Sequence, residues 1–468
     1  MVDQRVHHFR SGRRRAAFPA SSAGPRRAPC AMIAWYEFLG AGGFVLFTLF
    51  LIGAPIFLSF LIAILLGITV VIGPAGYAMF ANSLYETTTT TSLASIPLFI
   101  LMGELLFRSG TIDILFSSVD SLIGKIRGRQ YVLVIVLSAV FGALSGSAMA
   151  VAAMLGRSAM PGIIARGYDP KLAAGSILAG ASLAPIIPPS ILAIIVGTLA
   201  EVSIAKLLIA GVIPGLMLAG IFLVYILIMV RIYPEKSPVA DDGGRGGVSA
   251  AEKAAAVAKM LPFLLIVFMV MGLIMLGIAT PSESAATGVV GALLTAALYR
   301  KLSWKMLYEA TAAAMAVSCM ILVIMATSKM FTQLLAFTGS TSALISVVSD
   351  LGFGPLPMLI IMLAVPFVLC MFVDQIAIML VIIPLFEPIM QNLGFDPVWF
   401  WLLFLINMTL GGITPPLGYT LFAFKGVVPQ LTLQEVFSAC WPFVGLFLIG
   451  VALMVAFPQI VTFLPNLL

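Results

Sequence analysis

Two double prolines, Pro188–Pro189 and Pro415–Pro416, interrupt apolar stretches of this 468-residue chain. Proline donates no backbone hydrogen bond and clashes with the preceding helical turn, so each pair breaks a helix and frees carbonyls. Ala184 and Pro185 lie beside the first break; Gly411, Gly412 and Ile413 lie beside the second. Freed carbonyls suit a small hard cation such as Na⁺, while exposed helix N-termini suit a carboxylate. Thr414 and Thr409 add hydroxyl oxygens at the second break, and Ser190 and Ser182 do so at the first, making oxygen-rich, thiol-free sites. Thr409 alone favours back-bonding to its own helix. Asp374 lies deep in apolar sequence, where a carboxylate is costly and marks function by default. It is expected to support a cation site, directly or by orienting its loop; the competing role is a structural bond to nearby amides or to Lys425. Lys425 and Arg157 are the nearest cations, and both are expected to reach the interface.

Composition states what must surround these groups. Hydrophobic residues make up 61% of the chain and charged residues 9%, against about 25% charged in soluble domains. Such a chain needs lipid bilayer around most of it, which excludes a soluble enzyme, a nucleic-acid binder and a disordered scaffold. The net charge of +6 comes from residues 1–31, with seven arginines and one acid; 18 basic and 18 acidic residues remain. Four cysteines lie far apart without a CxxC pair, and the two histidines, His7 and His8, are in the tail. A Ser–His or HExxH protease is therefore excluded from the body, and no P-loop is present. A passive channel or assembly scaffold would not need paired breaks.

Hydropathy predicts spans near 37–54, 55–78, 93–107, 170–200, 206–231, 260–280, 283–299, 304–327, 398–428 and 432–461, with a polar stretch from Asn82 to Ser92. The amphipathic segments 107–128 and 329–352 read as interfacial helices. Two more apolar stretches, 131–165 and 356–391, are interrupted by Ser145–Gly146–Ser147 and by Phe372 to Gln375. Read as re-entrant hairpins, they put 16 of the 18 body lysines and arginines on one side, leaving Lys206 and Lys329 opposite. The positive-inside rule makes that side cytoplasmic. Residue 37 then lies outside, in conflict with the arginine-rich tail. Segment 1–31 is read as a targeting peptide, an unfolded tail or, first among the three, sequence ahead of a start at Met32. Segment 235–258 reads as a polar, Gly-rich cytoplasmic linker.

Sliding the chain by 227 residues aligns 161–189 with 388–416 without a gap, with nine of 29 positions identical; chance gives roughly two or three. The shared pattern is a hairpin return, G-[YF]-D-P, then a span broken by two prolines. Five spans separate the hairpins, an odd number, so the halves face opposite ways. Inverted repeats with broken helices meeting at mid-membrane mark secondary transporters. Asp169 and Asp396, each followed by proline, are predicted helix N-caps.

At GALSGSAMA (142–150), RGYDP (166–170), LAPIIPPSI (183–191), MFVDQIAI (371–378), GFDP (394–397) and NMTLGGITPPLGY (407–419), the chain resembles the large membrane subunit of tripartite ATP-independent periplasmic (TRAP) transporters. IPLFILMGELLFRSG (96–110) is similar to the segment before that family's first interfacial helix, and the resemblance covers essentially all of 33–468. It implies an all-α polytopic membrane protein with inverted repeats, two re-entrant hairpins and two broken helices, the elevator-type ion-transporter superfamily fold. It also implies Na⁺-coupled uptake of an organic acid, such as a C4-dicarboxylate or sugar acid, handed over by a periplasmic binding protein. A separate small four-span membrane subunit is expected, and two Na⁺ ions.

The implied division is tail 1–31, scaffold 32–128, first transport half 129–200, scaffold 201–352, second transport half 353–430 and a C-terminal span 431–468. The expected metal ligands are Ser145, Gly146, Ala184, Pro185, Asp374, Thr409, Gly411, Gly412 and Thr414; substrate falls to Ser145, Ser147, Ser190, Thr414 and Gly418. Ala148, Met149 and Val151 depart from the small hydroxyl-rich pattern usual at that family's first hairpin tip. A single-subunit dicarboxylate symporter and a cation/proton antiporter of the same superfamily are the alternatives. The antiporter would want more buried carboxylates.

Overall fold

The computed structural model describes residues 35–110, 112–123, 126–238 and 250–467, so the arginine-rich tail and much of the linker lie outside the described residues. The described residues contain helices and no strands. Seven helical segments are long and apolar enough to cross a membrane by length and composition.

The chain opens with α1 (Trp35–Leu51) and α2 (Ile56–Gly67), which a π-helical turn extends to Ile72. Gly73, at φ 76°, ends this span, five residues before the 55–78 boundary that hydropathy predicts. The polar stretch then joins α3 (Pro74–Thr89), whose Thr88 and Thr89 hydroxyls donate to carbonyls one turn back. Next come α4 (Ser95–Arg108) and the amphipathic α5 (Ile112–Leu122).

The first repeat follows. Helix α6 (Arg129–Ser145) turns at Gly146 into α7 (Ala148–Ser158) and α8 (Met160–Ala165). Phe141 of α6 and Met154 of α7 line one small cavity with Gly103 of α4, which two limbs can do only where the chain reverses. The broken span is α9 (Pro170–Ala181) and α10 (Ile191–Leu199), followed by α11 (Ile204–Ala210) and α12 (Val212–Ile232). After the linker come α13 (Ala250–Met275), α14 (Pro281–Leu298), α15 (Trp304–Phe337) and α16 (Ser340–Asp350). The second repeat is the hairpin α17 (Pro355–Cys370) and α18 (Gln375–Asn392), then the broken span α19 (Pro397–Ile413) and α20 (Tyr419–Val427). Helices α21 (Leu433–Ala456) and α22 (Gln459–Thr462) close the chain.

Three further sequence boundaries move. The linker is shorter than 235–258, because alanine-rich 250–258 belongs to α13. Its start is pinned: Tyr131 donates to the Lys236 carbonyl at 2.6 Å, and Gly128 N–H to the Ser237 hydroxyl at 3.0 Å. Segment 329–352 is not one interfacial helix. Its first part continues the 34-residue α15, held by Lys329 against Glu86 of α3 at 2.8 Å, and only α16 is separate. Span α12, assigned to the scaffold by the division at residue 201, packs on α6, α9 and α21 and so joins the hairpin body. The scaffold side is α4 packed on α14 and α15, with Arg108 bridging Glu104 at 2.7 Å and Glu309 at 3.3 Å.

Matching contacts carry the inverted repeat into three dimensions. In each half the hairpin packs on its own broken span, α6 and α7 on α9, α17 and α18 on α19. Each return limb also packs on the far part of the other half's broken span, α7 on α20 and α18 on α10. Gly156 of α7 allows the first of these approaches, since a Cβ there would meet Phe424 and Val427 at 3.0 Å.

Candidate functional site

The G-[YF]-D-P motifs place each broken span in the same way. Gly167 and Gly394 take the left-handed backbone (φ 75° and 69°) that glycine adopts at least cost. Asp169 and Asp396 then cap α9 and α19, accepting from Leu172 N–H at 2.7 Å and Trp399 N–H at 2.8 Å. The structural role read for both aspartates is their geometry here.

The hairpin tips are capped by residues that the 227-residue offset aligns. Ser147 starts α7, its hydroxyl accepting from Ala150 N–H at 3.3 Å; Asp374 starts α18, its carboxylate accepting from Ile376 N–H at 2.9 Å. The expected structural bond of Asp374 to hairpin amides is therefore present. Lys425 turns elsewhere, donating to the Pro429 carbonyl at 3.3 Å. Ser145 is the last residue of α6, its hydroxyl 3.4 Å from Ser147 N–H, and Gly146 follows in the left-handed region (φ 63°). A Cβ on Gly146 would stand 3.2 Å from Ile191 N, which sets the first tip against the start of α10.

At the first break Ala184 is fully buried and so close to Gly142 of α6 that a Cβ there would come within 2.6 Å of its Cα. Ser190 caps α10 by accepting from Ala193 N–H at 3.2 Å and donates to the Pro185 carbonyl at 2.5 Å. Part of the Pro185 acceptor capacity is thus met within the chain. Ser182 donates to the Ala179 carbonyl at 2.8 Å, and its aligned partner Thr409 donates to Leu405 at 2.9 Å, the back-bonding expected of Thr409.

The second break is tighter. Gly411 abuts Cys370 and the Phe367 carbonyl of α17, and Gly412 lies under the Tyr419 ring. Thr414 is fully buried and donates to the Leu410 carbonyl at 2.7 Å, leaving its oxygen lone pairs available. A Cβ on Gly418 would meet the Gly412 carbonyl oxygen at 2.6 Å and that of Thr414 at 3.0 Å. Two carbonyls therefore converge where only glycine fits.

Three polar atoms that the sequence reading did not single out collect here. The Gln375 amide oxygen and the Tyr419 and Thr420 hydroxyls are buried, and none meets strict hydrogen-bond geometry, although Tyr419 lies within hydrogen-bonding range of both Gln375 and Thr420. Gln375 and Thr420 are 7% and 0% exposed. Tyr419 stands beside Gln375, Thr420, Asp374 and Cys370. Buried polar groups are ordinarily satisfied, and exceptions point to an ion, water or ligand. Their sequence signal was adjacency: Gln375 follows Asp374, and Tyr419 follows Gly418. No group of three His, Cys, Asp or Glu side chains could hold a metal among the described residues, so a cation here would rest on carbonyls, hydroxyls and one carboxylate.

Residues 44–460 match the family described as "Tripartite ATP-independent periplasmic transporter, DctM component". The chain belongs to this family. As a TRAP large permease subunit it is a transporter component, not an enzyme, and a multi-pass inner-membrane protein. Such large permeases work with a periplasmic binding protein and a small permease subunit. The chain is 31% identical to the C4-dicarboxylate TRAP transporter large permease protein DctM of Pseudomonas aeruginosa over 84% of this chain and 90% of that protein. It is 30% identical to the ectoine TRAP transporter large permease protein TeaC of Halomonas elongata (90% and 97%). To the sialic acid TRAP transporter permease protein SiaT of Haemophilus influenzae it is 31% identical (89% and 66%). The crystal structure of the Alcanivorax borkumensis YdaH transporter superposes with a TM-score of 0.59 at 15% identity, over 82% of this chain and 90% of that one; this likeness is one of fold.

Proposed function

We propose that this TRAP large permease imports an organic acid, a C4-dicarboxylate or sugar acid being the first candidates, down a Na⁺ gradient. Two Na⁺ ions bind, one at each inverted hairpin and break, and a small four-span subunit completes the membrane part. The observation that carries this reading is the second break, where the Gly412 and Thr414 carbonyls converge beside three buried polar atoms that meet no strict hydrogen-bond geometry, and beside Asp374. That set offers oxygen donors to a hard cation. At the first site the donors are the Ser145 and Gly146 carbonyls and the Ser145 hydroxyl, with Ala184 and Pro185 from the break. A carboxylate substrate would meet the starts of α7, α10 and α20, near Ser147, Ser190 and Gly418, between the two cations. The relatives are named for a C4-dicarboxylate, ectoine and sialic acid, and each of these ligands carries a carboxylate.

The test is thermal unfolding of the chain purified with its small subunit, in NaCl against KCl at matched ionic strength, followed by uptake into proteoliposomes under an imposed Na⁺ gradient. A site with a dissociation constant near 10 mM adds roughly 1.4 kcal/mol at 100 mM Na⁺. Identical unfolding curves up to about half-molar salt, with uptake indifferent to the Na⁺ gradient, would reject Na⁺ coupling.

A further inference from the structure

We infer that the scaffold carries a site for one anionic phospholipid of the cytoplasmic leaflet, in the groove between α13 and α14. The groove, about 900 Å³, is walled by Leu261, Leu265 and Met269 of α13 and by Val290, Leu294 and Leu298 of α14. All six are exposed. Its two threonines are satisfied within their own helix, Thr287 on the Ser284 carbonyl and Thr295 on the Gly291 carbonyl. The walls thus ask for hydrocarbon.

Length separates an acyl chain from a partner helix. Along α13 the lining runs from Ala258 to Met269, and along α14 from Ala286 to Leu298. At 1.5 Å per residue that is about 16 to 18 Å, close to half of the roughly 30 Å hydrocarbon core. A spanning helix of another subunit would need a seam through both leaflets. The groove serves one leaflet.

Charge selects the headgroup. Lys259 follows Ala258 in the first turn of the groove, and Arg300 and Lys301 lie just beyond Leu298, at the end that the positive-inside rule makes cytoplasmic. All three are exposed, and none makes an ion pair among the described residues. Tyr299 ties the end of α14 to the body of α13 by donating to the Lys259 carbonyl at 2.8 Å. Arg300 adopts φ 54° where a helix end ordinarily uses glycine. Basic pockets between spans on the cytoplasmic side suit acidic phosphate headgroups.

The experiment is native mass spectrometry of the chain with its small subunit, from nanodiscs of phosphatidylcholine doped with phosphatidylglycerol. One retained phosphatidylglycerol per protomer is expected. The combined variant Lys259→Ala, Arg300→Ala, Lys301→Ala should lower retention about tenfold or more while its thermal unfolding stays cooperative. Val290→Trp, which fills the groove and leaves the charges, should lower it too. Equal retention of phosphatidylcholine, or undiminished retention in both variants, overturns the proposal. So does a photo-crosslinking residue at Leu294 that captures the small subunit instead of lipid.

Discussion

The two inverted halves share a backbone plan and differ in what they leave unsatisfied. At the first break Ser190 closes on the Pro185 carbonyl, and the aligned tip residue is a neutral serine, Ser147. At the second the tip residue is Asp374, glycines replace Ala184 and Pro185 at 411 and 412, and three buried polar atoms meet no strict hydrogen-bond geometry. The aligned pair Ile191 and Gly418 makes the same point: the first half accepts a large side chain where the second has carbonyls in the way. One repeat has thus kept its acceptors and the other has met more of its own. The difference makes the second half the more demanding ligand site.

The largest expected effect breaks that asymmetry directly. Gly418→Ala drives a methyl into two backbone oxygens that cannot swing aside, so uptake should be lost and stability should fall by about 1–3 kcal/mol. Proteoliposome uptake and denaturant unfolding check it; an active Gly418→Ala protein would mean that the carbonyls do not converge in the working state.

Next in size is the pair Asp374→Asn and Ser147→Ala. Asparagine caps a helix nearly as well as aspartate, so Asp374→Asn should unfold normally in KCl yet lose most of the roughly 1.4 kcal/mol Na⁺ response. Ser147→Ala should do the opposite, costing about 1 kcal/mol of capping in either salt. Full Na⁺-driven uptake by Asp374→Asn would remove the carboxylate from the cation site.

Smaller still, Tyr419→Phe and Thr420→Val delete hydroxyls whose protein partners are poorly aligned. Without ligand they should leave stability unchanged or raise it by up to about 1 kcal/mol, and in saturating Na⁺ or substrate they should weaken the thermal shift. An unaltered shift in both variants would make these hydroxyls bystanders.

The smallest effect is a difference near zero. Asp169→Ala and Asp396→Ala each remove an N-cap of the same geometry, so each should cost about 1 kcal/mol and leave the Na⁺ response alone. A marked inequality would show that the two G-[YF]-D-P turns are not equivalent.

What the amino-acid order determined by itself was everything with local or periodic cause. Low charge and long apolar runs required a bilayer, proline pairs required breaks, and the glycine–aspartate–proline turns required capped helices at a fixed spacing. The fixed offset required two copies facing opposite ways, since an odd number of spans lies between them. Helix ends were less legible: α15 runs past residue 328 because Lys329 finds Glu86 on α3 and Gln333 takes a hydrogen bond from Ser83, partners some 250 residues away. The hydrophobic signal likewise could not assign α12 to the hairpin body, because lipid-facing and protein-facing apolar residues look alike in sequence. The site divided along the same line. Ser147, Ser190 and Asp374 were readable as polar residues at interruptions, but whether a carbonyl stays free or an amide oxygen stays poorly aligned depends on neighbours brought in by folding. Only the packing of α17 and α20 around Gly411, Gly412 and Gly418 gathered Gln375, Tyr419 and Thr420 there, because burial and convergence are properties of the assembled helices.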